Sequence, residues 1–149
     1  MALAASARAQ TTFPESLHVV APADGKTREY LTVVVEADCQ ACIDAYTEIV
    51  ARLALHDPLL ERYAIRWIPA GADGPALNAA ARALQKNSMD GFGAPQLSPP
   101  DEKYLRMARE NTQSMQNSKG FPMFMASNKS TLTGYTNWND FANWLSSAR

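Results

Sequence analysis

The apolar positions of this chain change period along its length, and each change marks an element. Tyr30-Leu31-Thr32-Val33-Val34-Val35 is a largely β-branched run without alternation, which predicts a central strand buried on both faces. Ile43, Tyr46, Ile49, Val50 and Leu53 then recur at helical spacing, and Asp57-Pro58 predicts the end of that helix. Residues 63–69 read as a second buried strand, and the Ala- and Leu-rich residues 75–84 as a second helix. Gly91, Gly93, Pro95, Pro99 and Pro100 mark 87–100 as a loop. Ser98, two prolines and an acidic pair predict the start of a helix over 101–116. Gly120-Phe121-Pro122 breaks the chain, 123–126 reads as a strand, 127–130 as a turn and 131–135 as the partner strand. A last helix is expected over 138–145, capped by Asn137. Near the start, 17–21 reads as a short strand and 23–26 as a turn.

Strand, helix and strand in that order predict a βαβ unit, and two strands joined by a tight turn predict an antiparallel hairpin. Together they predict an α/β fold: a central mixed sheet with helices on both faces. At 149 residues the chain fits one domain with a real core. Net charge is −1 and the basic residues are scattered, so no nucleic-acid partner is indicated. No apolar run reaches the length of a membrane span. Residues 1–10 are small and apolar and end near Ala7-Arg8-Ala9, the A-x-A pattern of signal-peptide cleavage. They read as a signal-peptide remnant or a disordered N-terminus, and 11–149 as the single folded domain.

The two cysteines change the picture most. They form one pair, Cys39-Gln40-Ala41-Cys42, placed between the valine-rich strand and the helix that follows. At a helix N-terminus the unpaired N–H groups and the dipole favour an anion, so a lowered thiol pKa is expected for Cys39. That makes Cys39 the attacking sulfur and Cys42, one turn further in, the resolving one. Two other readings stand beside this one. Zinc would need two more ligands, and His18 and His56 are the only histidines. An inert pair of buried thiols is the other. No metal and no cofactor is expected. A proline opening a strand, as in Gly120-Phe121-Pro122, is either an edge-strand start or a cis peptide.

These residues resemble the catalytic domains of the bacterial periplasmic disulfide isomerases DsbC and DsbG, with DsbG the closer. The resemblance runs from Tyr30 to Leu145. It rests on the cysteine pair after its strand, on Ile65-Arg66-Trp67-Ile68-Pro69-Ala70-Gly71, on Asn111-Thr112-Gln113-Ser114-Met115, on Phe121-Pro122, on Gly134-Tyr135, and on Phe141 and Trp144-Leu145. It implies a thioredoxin-like fold, a helical insertion over about 72–117 before the cis-proline strand, and a periplasmic location. It also implies that Pro122 is a cis-proline facing the cysteines, and that Phe121 and Pro122 line a groove where a substrate chain pairs as an added strand. Gln40 and Ala41, between the cysteines, complete the expected substrate contacts. The partners implied are cysteine-containing proteins, with room for a membrane redox partner. The family usually has Thr where this chain has Phe121, and usually an aromatic where it has Ala41.

Thioredoxins bury an acid six residues before the first cysteine, where this chain has Val33. Glu36 and Asp38 are expected to be solvated loop acids. Trp67, Trp138 and Trp144 are expected in the core rather than on a binding surface, and so are Met107, Met115 and Met125. Met123, which follows Pro122, is the one methionine with a second reading, at the border of the groove. Two functions follow: a dithiol oxidoreductase, or a redox-silent module that holds an extended peptide at the Pro122 edge. The segment before Tyr30 leaves no room for the family's dimerisation domain, so a monomer is expected. Light scattering of the purified chain checks this, and a stable dimer would overturn it.

Overall fold

The computed structural model describes residues 13, 16–22, 29–94, 98–115 and 120–148. The expected signal remnant at 1–10 and the turn at 23–26 lie outside them. Within them, β1 (Glu29–Glu36) leads through Cys39 into α1 (Gln40–Ala54), then the short α2 (Pro58–Glu61) and β2 (Tyr63–Ala70). Two helices follow, α3 (Gly74–Lys86) and α4 (Glu102–Ser114), before β3 (Met123–Met125), β4 (Thr131–Thr133) and α5 (Trp138–Ser147). The sheet order is β2-β1-β3-β4. β1 pairs parallel with β2 along its whole length, Glu29 opposite Tyr63 and Glu36 opposite Ala70. On its other edge it pairs antiparallel with β3, Val33 opposite Phe124. β3 and β4 close the hairpin. This is the α/β architecture with a mixed sheet that the periodicity predicts.

β1 is central, and its side chains serve two cores. Leu31, Val33 and Val35 pack with Cys42, Ala45 and Ile49 of α1 and with Phe124, Phe141 and Leu145. Val34 packs in the smaller cluster with Ile68, Ala70, Met115 and Met123. A strand covered on both faces needs apolar residues at every position, which is why the run does not alternate. The tryptophans belong to this packing. Trp67 meets Tyr46 edge-on with ring centroids 5.3 Å apart. Trp138 and Trp144 flank Phe141 at 5.4 and 5.8 Å. Met123 is buried beside Val34 rather than bordering a groove.

Several boundaries differ from expectation for identifiable reasons. Residues 17–21 do not form a strand; only Val20 bridges to Trp67. The His18 N–H and carbonyl are taken instead by the side chain of Asn111, at 2.7 and 2.9 Å. Pro58 does more than end α1. It is in the first turn of α2, whose cap Asp57 accepts the Leu59 N–H at 2.9 Å. α4 starts where expected, with Asp101 as its cap residue, while the Ser98 hydroxyl accepts from Arg82 at 2.9 Å. Asn137 caps α5 as expected, accepting the Asp140 N–H at 2.9 Å.

α3 and α4 are anchored to the sheet by two polar side chains. Asn111 is fully buried, and besides His18 it donates to the Pro69 carbonyl at 3.0 Å. Thr112 accepts the Gly71 N–H at 2.9 Å and lies 3.0 and 2.8 Å from the Gly71 and Ala108 carbonyls. Gly71 is required here, because a Cβ would overlap the Ala76 carbonyl at the start of α3. Replacing Asn111 with Leu leaves buried main-chain groups unpaired. It should lower unfolding free energy by about 2 kcal/mol, read by urea titration; an unchanged midpoint would show that the clamp is dispensable.

Candidate functional site

The site forms where β1 ends. The Glu36 carbonyl accepts the Cys39 N–H at 3.4 Å across the Ala37-Asp38 turn, which places Cys39 as the N-cap of α1. Cys39 is extended, with φ −104° and ψ 112°, and its Sγ accepts the Cys42 N–H at 3.2 Å. A sulfur thus occupies the position that Ser or Asp holds in an ordinary cap. Both cysteines are free thiols. Cys39 is partly exposed, while Cys42 is completely buried. Cys42 shares the inner face of α1 with Ala45 and Ile49, so the helical period that makes the core also shields the second sulfur.

Burial pushes the Cys42 thiol well above the ordinary thiol range, with the hydrogen bond to Cys39 and the Glu36 charge adding to it. A hydrogen bond to the Glu36 backbone acts the other way. Cys42 is therefore held as a thiol while the pair is reduced.

The third element arrives from far along the sequence. Phe121–Pro122 is a cis peptide, and the Cys39 Sγ–H points at the Phe121 carbonyl, 3.8 Å away. Phe121 packs against both core clusters and Pro122 is buried. The Pro122 carbonyl already accepts the Gly134 N–H at 2.7 Å. The main-chain group facing the sulfur is thus that of Phe121. The two residues between the cysteines divide: Gln40 is exposed, its amide donating to Asp44 at 2.8 Å, and Ala41 is half-buried. The fold therefore brings Cys39, Cys42, Phe121 and Pro122 together, with Gln40 at the outer edge.

Glu36 is the residue that the sequence reading missed. It is not a solvated loop acid but the half-buried last residue of β1. Burial, and then Asp38 through its charge and a side-chain hydrogen bond, raise its carboxyl from the ordinary 4.5 to about 7. Asp38 itself is exposed, as expected. The signal was present as an acid closing a buried strand, but three residues before Cys39 rather than six. Beside the turn a concavity of about 430 Å³ opens between Ala37, Asp38 and the first turn of α3 at Pro75 and Ala76. Among the described residues no three His, Cys, Asp or Glu side chains group as metal ligands, and no helix is long and apolar enough to cross a membrane.

No family model and no curated protein matches the chain. Among solved structures it is similar to a periplasmic thioredoxin-like protein from Salmonella enterica serovar Typhimurium, at 12% identity and TM-score 0.58, covering 85% of this chain and 88% of that one. It is also similar to the catalytic domain of Proteus mirabilis ScsC, at 12% identity and TM-score 0.54, covering 96% and 94%. The thiol-disulfide exchange protein alpha-DsbA2 from Wolbachia pipientis matches at 11% identity and TM-score 0.52, covering 96% and 92%. The fold is thioredoxin-like, as the family resemblance implies.

The raised Glu36 carboxyl has a stability consequence. Between pH 4.5 and about 7 the folded protein holds a proton that the unfolded chain has released, so stability falls as pH rises through that window. Glu36→Gln removes this slope. The reduced variant should melt higher than the parent at pH 8 and alongside it at pH 4; equal melting temperatures at pH 8 would refute the assignment.

Proposed function

We propose that this chain is a thiol–disulfide oxidoreductase of the bacterial periplasm, acting on protein disulfides through Cys39 and Cys42. The observation that carries the reading is the Cys39 sulfur: half-exposed at a helix N-cap, 3.8 Å from the Phe121 carbonyl of a cis X-Pro bond, with its partner thiol buried one turn behind. Cys39 attacks a substrate disulfide, forms a mixed disulfide and releases one substrate thiol. Cys42 then attacks Cys39, closes the internal disulfide and frees the second substrate thiol. The reverse sequence oxidises a substrate dithiol. Which direction runs is set by the reduction potential of the pair against its redox partner.

The substrate chain is taken to lie along Phe121 and Pro122, pairing with the main chain there as an added strand, with Gln40 and Ala41 touching it from the α1 side. Its natural partners are cysteine-containing envelope proteins, with a membrane protein restoring the redox state of the pair. The finer assignment, to a DsbG- or DsbC-like catalytic domain, rests on the residue runs around the cysteines, around Asn111 and around Phe121-Pro122. The periplasmic location is supported by the fold neighbour described as periplasmic.

The roles of the two sulfurs are separable. Alkylation of the reduced protein at mildly acid pH should label Cys39 before Cys42. Cys42→Ala should accumulate mixed disulfides at Cys39 when mixed with oxidised insulin, and Cys39→Ala should abolish both adducts and insulin reduction. Faster labelling of Cys42, or a Cys42→Ala protein that traps nothing, would replace this reading with that of a redox-silent peptide-binding module.

A further inference from the structure

The turn that delivers Cys39 also borders an open cavity. Ala37 and Asp38 form part of its wall, and the rest comes from the first two turns of α3 and from the loop that follows that helix. Its volume is about 430 Å³, whereas an apolar cavity of about 150 Å³ already takes up benzene. On the α3 side lie the buried Ala76 and Ala79 and the half-buried Asn78. The loop side is held against α1. Gly93 has φ +89°, and a Cβ there would lie 2.8 Å from the Ile43 side chain, so the loop rests on the residue that follows Cys42. Two turns close this loop: the Phe92 N–H bonds to the Met89 carbonyl and the Ala94 N–H to the Gly91 carbonyl, each at 2.9 Å. Three separate stretches of chain thus hold the hollow open. Among the described residues only Asp38 and Asn78 bring polar side chains to it.

Resting on the oxidoreductase reading, we propose that this cavity receives a large apolar side chain of the substrate protein, aromatic or branched aliphatic, from a position beside its reactive cysteine. Asp38 is bonded directly to Cys39, and neighbouring Cα atoms are about 3.8 Å apart. The rim is therefore one residue from the attacking cysteine. An extended substrate advances about 3.3 Å per residue and sends successive side chains to opposite sides, so a residue next to the substrate cysteine comes level with that rim. The small side chains of the wall leave volume and offer carbon rather than hydrogen-bond partners. Such a wall gains from an apolar occupant and penalises a charged one. None of the lining residues belongs to the entry of β3, so the cavity adds a second point of recognition to the Phe121–Pro122 edge. In the step it serves, the Cys39 thiolate attacks one substrate sulfur and forms a bond to it. The substrate S–S bond breaks, and the second substrate sulfur leaves as a thiolate that takes a proton from solvent. The side chain beside the sulfur now bonded to Cys39 occupies the cavity.

Two synthetic peptide disulfides are the probes: the symmetric dimers of acetyl-Gly-Phe-Cys-Phe-Gly-amide and acetyl-Gly-Ala-Cys-Ala-Gly-amide. Flanking the cysteine on both sides makes the result independent of chain direction. Reduced protein is mixed with each, and its oxidation is followed by acid quench and mass spectrometry. The parent should react about tenfold faster with the Phe peptide, the low end of what burying such a side chain contributes. Ala79→Leu fills the cavity from α3 and should abolish that preference. Asn78→Phe, at a half-buried position, should do the same, and it decides alone should Ala79→Leu fail to fold. A merely structural effect would slow both peptides alike and keep the preference, which overturns the proposal. A parent that does not distinguish the two peptides overturns it as well. Failure of the oxidoreductase reading looks different: the parent then reduces neither peptide disulfide, nor oxidised glutathione.

Discussion

Burial of β1 on both faces is the constraint from which the rest of the site follows. The strand is paired on each edge, parallel to β2 and antiparallel to β3, and its interior side chains are removed from water on each face. It cannot slip by one residue without moving Leu31, Val33 and Val35 out of one core and Val34 out of the other. The strand end is therefore held in one place, and the Glu36–Cys39 turn delivers the first sulfur to the N-terminus of α1. The same register places Val33 opposite Phe124, which carries Phe121 and Pro122 to the sulfur. One packed strand thus positions both halves of the site.

The chemistry comes from an asymmetry in burial imposed on two identical side chains. Cys39 is a cap residue, half in water, with a backbone N–H donated to its sulfur. Cys42 lies one turn further, on the face of α1 that meets the sheet, where a charged sulfur loses its hydration. The separation of one helical turn both brings the sulfurs together and divides exposed from shielded. The two acids beside the pair divide the same way. Glu36 is half-covered by the strand it ends, and Asp38, two residues on, is in water.

Side chains outside the site hold this frame rigid. Asn111 and Thr112 bind main-chain groups at the end of β2, so the two helices between β2 and β3 cannot drift from the sheet. The Arg52 guanidinium lies 4.1 Å over the Trp138 ring while pairing with Glu48 at 2.9 Å, tying the end of α1 to α5. The cation–π contact and the ion pair each contribute a fraction of what core burial does, yet they fix the orientation of the helix that carries both cysteines.

Local pattern determined the elements. A β-branched run could only be a buried strand, the Ala-Leu period over α3 could only be a helix, and Cys-x-x-Cys after such a strand put a sulfur at a helix start. What depended on distant partners was decided by the tertiary structure. Residues 17–21 read as a strand, but the His18 main chain found Asn111, 93 residues away, and a side chain took the place of a ladder. The contact between Cys39 and the Phe121 carbonyl spans 82 residues, and no periodicity encodes it. Glu36 and Asp38 are both acids beside a turn, indistinguishable by type. Only the packing around the strand end sets how much water each keeps, and it leaves Glu36 half-buried and Asp38 exposed.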